Sequence, residues 1–191
     1  MKRLKNPGAA MLIAAVFAGG SATAAQVSKV DEIQAISQFE TAIAQYMALR
    51  ERLVSEKIAG PVSNSTASQL NQASDALAAA IQRARAKAKP GDVFRPVVSE
   101  MFKRRVVDVV QQQNLGPVLA EIDDEGPSKV TPAIHLRFPG AAPMATMPPA
   151  LLSALPPLPK ALEYRIVGQY LVLRDVEAAL IVDFIPATVP R

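Results

Sequence analysis

The side chains best suited to acid–base chemistry in this chain are carboxylates. Asp175, Glu177 and Asp183 lie close together near the end of the sequence, and Asp92 and Glu163 are further candidates. Two carboxyl groups with different proton affinities can act as general acid and general base on a glycosidic or similar bond. Asp175, Asp183 or Asp92 would then carry a carboxylate-dependent hydrolase of the periplasm. The competing reading is structural: Asp175 and Glu177 flank a turn, where acids favour turn formation and solubility, and Asp183 shares a strand face with Arg174 and Tyr170. The single histidine, His135, stands in Ala133-Ile134-His135-Leu136-Arg137-Phe138. No Gly-x-Ser-x-Gly elbow accompanies it, so a Ser-His-Asp assignment has no sequence context. The absence of cysteine excludes thiolate metal sites, disulfides and a cysteine nucleophile. One histidine also excludes a zinc site built from several imidazoles. No cofactor or metal is expected, and no catalytic residue is assigned.

Other local patterns point to solvated surface. Asp123-Asp124-Glu125-Gly126 lacks the alternating oxygen ligands and distal glutamate of a calcium loop. Lys103-Arg104-Arg105, on a helix, spreads over a wide arc with no aromatic side chains interleaved for base stacking. Asn64-Ser65-Thr66 is a glycosylation sequon, meaningful only in a eukaryotic secretory pathway.

The first 24 residues read as a secretory signal peptide. Lys2, Arg3 and Lys5 form a positive start, Ala9 to Ala18 is apolar, and Ala22-Thr23-Ala24 fits the small-x-small cleavage pattern. Cleavage is expected between Ala24 and Ala25. It would remove three of the 21 basic residues and no acidic one, leaving 18 against 17 and a net charge of +1 rather than +4. A nearly neutral mature chain has no global field for nucleic acid. No later stretch is long and apolar enough to span a bilayer. The expected location is periplasmic or secreted.

The elements that must position these groups follow from periodicity. Ile33, Ile36, Phe39, Ile43, Tyr46, Met47 and Leu53 form one stripe of a helix over 31–57. Gly60-Pro61 stops it, and Ser63 to Thr66 offers caps for a second helix over 66–88, with Leu70, Leu77, Ala80, Ile81 and Ala84 inward. These two predict an antiparallel hairpin, and the longer one offers a face for self-association. A third helix follows from Pro96 to Gln113, carrying Val98, Met101, Phe102, Val106, Val109 and Val110, and a short one spans 117–123. Nine of the sixteen prolines fall in 127–160, which predicts an extended strap with one short helix at 150–154. Beyond it, the Gly168-Gln169 turn sets Val167 opposite Tyr170, Arg165 opposite Val172 and Glu163 opposite Arg174. Leu162, Tyr164, Ile166, Leu171, Leu173, Leu180, Val182 and Phe184 then share the core face of a three-stranded meander. The outer face would carry Glu163, Arg165, Val167, Tyr170, Val172, Arg174, Ile181, Asp183 and Ile185.

The run from Leu155 through Pro156-Pro157-Leu158-Pro159, Tyr164-Arg165, Val172-Leu173 and Ile181-Val182-Asp183 resembles the ending of small exported bacterial proteins with no assigned activity. It is also similar to the C-terminal module of the periplasmic nickel/cobalt-homeostasis family. The likeness covers about 30 residues, without the tryptophan and Pro-Pro-x-Gly lead of that module. It implies export and carries over no functional residue.

The sequence thus predicts an α+β fold. Residues 1–24 are the signal peptide, 25–126 the helical part, 127–160 the proline-rich connector and 161–188 the meander, with 25–188 forming one domain. The expected function is that of an exported, non-catalytic envelope protein that binds another envelope protein or a peptide. Its expected surface is the half-apolar outer face of Arg165, Tyr170, Val172, Arg174, Ile181 and Asp183, unless the connector covers that face.

Overall fold

Alanine-rich sequence and the absence of any breaker from Ser21 onward let the first helix start well before its apolar stripe does. In the computed structural model, which describes residues 20–57, 66–125, 131–137 and 147–189, α1 runs over Gly20–Lys57 rather than from residue 31. The backbone around Ala24 and Ala25 is therefore helical here. Packing begins later: Ala35, Phe39, Ala42, Ile43, Tyr46 and Leu53 are buried, whereas Ile33 is 68% exposed and leaves the expected stripe.

Helix α2, Ala67–Ala84, opens on Thr66, whose hydroxyl accepts from Gln69 N–H while the Gln69 side chain accepts from Thr66 N–H. This reciprocal box satisfies two of the donors a helix start leaves unpaired. Leu77, Ala78, Ala80 and Ile81 face inward, but Leu70 is 46% exposed and Ala84 is exposed, so the packed stripe is shorter than predicted. Helix α2 also ends at Ala84, four residues before the expected 88. The Gly60-Pro61 stop and Asn64 sequon lie outside the described residues.

Helix α3, Pro96–Gln112, has proline in its first turn and buries Val98, Met101, Phe102, Val106 and Val110. Helix α4, Gly116–Glu125, carries the acidic run 123–125 on its last turn rather than in a loop. Helix α5, Pro149–Ala154, interrupts the proline-rich stretch. Strands β1, Leu162–Val167, β2, Tyr170–Asp175, and β3, Leu180–Ile185, form an antiparallel sheet in the order β1-β2-β3. The fold is α+β. Gly168 alone in its turn takes positive φ, at 55°, as a type II′ hairpin requires.

Four aromatic rings tie the helices to the sheet. Phe39 of α1 lies 5.0 Å from Phe102 of α3 and 5.8 Å from Phe94, and Phe102 lies 5.9 Å from Tyr164 of β1. The tilted and offset geometries suit the ring quadrupoles. Tyr164 donates its hydroxyl to the Pro156 carbonyl at 3.0 Å, so the one polar atom of the cluster is satisfied.

The β1–β2 register agrees with the predicted one at every pair. The β2–β3 register does not. Leu173 pairs with Asp183 but Arg174 pairs with Ile181, so Val182 is an extra residue in β3. Such a bulge moves every later side chain to the opposite face. Ile185 joins the main core, Phe184 joins the outer face, and Asp183 points inward with no solvent exposure. The predicted placements of Phe184, Asp183 and Ile185 are all reversed.

Inward rotation of a carboxylate is tolerable only if its oxygens are satisfied. Asp183 accepts four backbone N–H groups: Gly91 at 2.9 Å and Phe184 at 2.8 Å on Oδ1, and Val93 and Phe94 at 2.8 Å on Oδ2. Asp183→Ala should destabilise the protein by roughly 3–5 kcal/mol, because several buried donors lose their only acceptor. Asp183→Asn should fall between the two, since its amide nitrogen would face donors. Urea unfolding of the three proteins checks the order.

Candidate functional site

The outer sheet face is closed rather than open. Val167, Val172 and Ile181 form a second small core with Leu136, Tyr170 and Phe184 around it, and Tyr170 meets Phe184 edge-on at 5.9 Å. Leu136 reaches this face because its segment pairs with the edge of β3. His135 N–H donates to the Ile181 carbonyl at 2.9 Å, Ile181 N–H donates to that of Leu136 at 3.0 Å, and Arg137 bridges Leu180. The connector therefore supplies the cover.

Of the predicted surface residues, Val172, Ile181 and Arg174 are buried, and Asp183 belongs to the other face. Only Arg165 and Tyr170 are half-buried. Glu163 collects two guanidinium groups: Arg165 Nη2 donates to Oε2 at 2.7 Å and Arg174 Nη1 to Oε1 at 2.6 Å. Burial alone would raise the Glu163 pKa, but the two arginines outweigh it and hold the carboxyl below its ordinary value. The expected Glu163–Arg174 cross-strand pair is present, with Arg165 added to it.

The carboxylates proposed for hydrolysis are committed to bonds within the fold. Asp175 is fully buried and accepts from Tyr46 Oη at 2.8 Å, Arg50 Nε at 2.9 Å and Ala178 N–H at 2.9 Å. It closes the β2–β3 turn and ties it to α1. Arg50 also pairs with Glu177 through Nη2. Burial alone would lower the Arg50 guanidinium, and Asp175 and Glu177 more than offset that. Burial first, then the Asp175 charge, pushes the Tyr46 phenol far above its ordinary range, so Tyr46 stays a donor. Asp183 is saturated as described. Asp92 is exposed, its Oδ2 accepting from Lys89 N–H at 2.9 Å.

His135 adopts φ 65°, in the left-handed region, held there by its own N–H bond and by Gln82 Nε2 donating to its carbonyl at 3.3 Å. Burial and then Arg85 push its pKa down, which keeps the ring neutral. Its Nε2 is buried with no hydrogen-bond partner among the described residues. No group of three or more potential metal ligands forms among them either.

The most distinctive polar surface lies elsewhere, where α2 ends. Arg85 lies one residue past the helix, its guanidinium 5.4 Å from the Tyr46 ring centroid and its Nη1 donating to the Val182 carbonyl at 3.2 Å. Two hollows meet at Arg85 and Asp92. One, of about 440 Å³, adds Gln45, Tyr46 and Arg95; the other, of about 430 Å³, adds Arg83 and Lys87. None of Arg83, Arg85, Lys87, Lys89 and Arg95 forms a salt bridge among the described residues.

The basic run Lys103-Arg104-Arg105, expected to be a solvated helix face, has Arg105 paired with Glu32 at 2.6 Å and Lys103 with Glu100 at 3.6 Å. The missed signal is the alternation Arg83-Ala84-Arg85-Ala86-Lys87-Ala88-Lys89. A helix drawn to residue 88 would have scattered those charges around its axis. No protein-family model, curated protein or solved structure matches the chain.

Two measurements check this account. Tyr46→Phe should destabilise the fold by about 1–2 kcal/mol, since Asp175 loses one donor and keeps two. For Glu163, whose pKa is lowered on folding, the stabilisation is present above its ordinary pKa of 4.5 and is lost as pH falls through the lower folded value. Glu163→Gln should therefore flatten the acid limb of the melting-temperature profile below about pH 4.5.

Proposed function

We propose that this is an exported, non-catalytic protein of the bacterial envelope, periplasmic or secreted, that works by binding a protein or peptide. The observation that carries this reading is the group of five cations over residues 83–95, four of which (Arg83, Arg85, Lys87 and Arg95) line two adjoining hollows and none of which has a carboxylate partner among the described residues. Charges that stabilise a fold are normally neutralised by neighbours, as Arg50, Arg105 and Arg174 are here. Unneutralised cations around a concave surface favour an oppositely charged partner.

One further feature supports the reading. The basic start, apolar run and Ala22-Thr23-Ala24 motif have the form of an export signal. No helix among the described residues is long and apolar enough to cross a membrane. The hydrolase reading gains nothing comparable, because Asp175 and Asp183 spend their oxygens on structural bonds.

Export is checked by expressing the chain in a bacterial host and sequencing the N-terminus of the envelope fraction. The expected first residue is Ala25, and Ala24→Asp should leave the precursor uncut. An intact Met1 on envelope protein overturns the cleavage assignment. Cross-linking in that compartment should recover a discrete partner, and recovery of none overturns the binding assignment.

A further inference from the structure

We infer that the paired hollows around Arg85 hold an extended acidic peptide segment, with carboxylates seated on both sides of that arginine. The inference rests on the binding reading above and names the chemistry of the occupant.

The charge exceeds what the helix needs. One or two cations at the end of α2 would suffice to meet its dipole, and Arg83 in the last turn already does so. The remaining four continue past the helix to Arg95, with Asp92 the one acid lining the two hollows.

The central cation is fixed. Arg85 is held by the Val182 carbonyl and the Tyr46 ring, so it meets a ligand with little loss of side-chain freedom. A planar guanidinium is well matched to a carboxylate fork.

The cations stand on both sides of this fixed point. Arg95 lines one hollow, and Arg83 and Lys87 the other. A single small anion would occupy one hollow and leave the rest unmatched. An extended peptide carries same-side side chains about 7 Å apart and can place a carboxylate in each.

The lining favours a peptide over the other polyanions. Tyr46 is the one aromatic residue of the two hollows, and it is buried with Arg85 over its face, which leaves no platform on which bases would stack. The exposed large apolar side chains, such as Ile33, Leu70 and Leu152, line neither hollow, so this surface offers none of them to enter a lipid layer.

The test uses the purified full chain and a fluorescein-labelled peptide of about eight residues with glutamate at every second position. The controls are the same peptide with glutamine, a single-stranded oligonucleotide of equal charge, and vesicles of anionic lipid. The glutamate peptide should bind, lose affinity steeply from about 50 to about 500 mM salt, and bind in preference to all three controls. Arg83→Glu and Arg95→Glu, both at exposed positions, should each weaken binding about tenfold, with unchanged circular dichroism. Arg85→Gln should weaken it further.

Equal binding of the glutamine peptide, the oligonucleotide or the vesicles overturns the inference, as does unchanged affinity in the charge-reversed variants. A cross-linked partner retained by the Arg83→Glu, Arg95→Glu variant also overturns it, while leaving the protein a binding module. Neither peptide binding nor any partner overturns both readings.

Discussion

Asp183 sits where the sheet meets the 91–94 turn, and its carboxylate joins them. A charged group removed from water needs close to its full complement of partners, and this one has four backbone donors from two separate parts of the chain. Three come from Gly91, Val93 and Phe94, which fixes the turn after α2. Fixing that turn seats Phe94 against Phe39 and Phe102, and so joins the hydrogen-bonded layer to the aromatic one. The bulge at Val182 is the condition for all of this, since a regular strand would have aimed the carboxylate at the opposite face.

Much of the architecture was legible because it depends on local pattern. The helices over Pro96–Gln112 and Pro149–Ala154 follow from proline at a helix start and apolar spacing. The Gly168 turn sets six strand pairs without help from the rest of the protein. The bulge was not legible, because Leu180, Val182 and Phe184 alternate as a regular strand would. What breaks the alternation is the demand of Asp183 for donors some ninety positions earlier in the chain. Ile33 was misplaced for a related reason: periodicity gives a stripe its angle, but not where along the helix a neighbour stops covering it.

The candidate site shows the same division. Individual cations are plain in the sequence, yet a helix extended to residue 88 distributes them evenly. Ending α2 at Ala84 changes the backbone geometry in the middle of the alternation and leaves Arg83, Arg85 and Lys87 lining one hollow. The net charge of the chain gives no hint of this, because it sums acids and bases wherever they lie. The outer sheet face was misjudged in the opposite sense. Its apolar residues are real, but Leu136 from the connector lies among them, and Glu163 draws two arginines into the same layer.

The placement of the sheet after the helices has a consequence for the growing chain. Strands β1 to β3 span residues 162–185, yet they provide the floor on which Phe39, Leu77 and Phe102 are buried. A ribosome releases α1, α2 and α3 before that floor exists. Until it arrives, the helices have partners only in one another, and the donors at 91–94 have no carboxylate to meet. The core can therefore be completed only late in synthesis. A polypeptide that must cross a membrane unfolded would gain from such a delay, since its own topology holds it open.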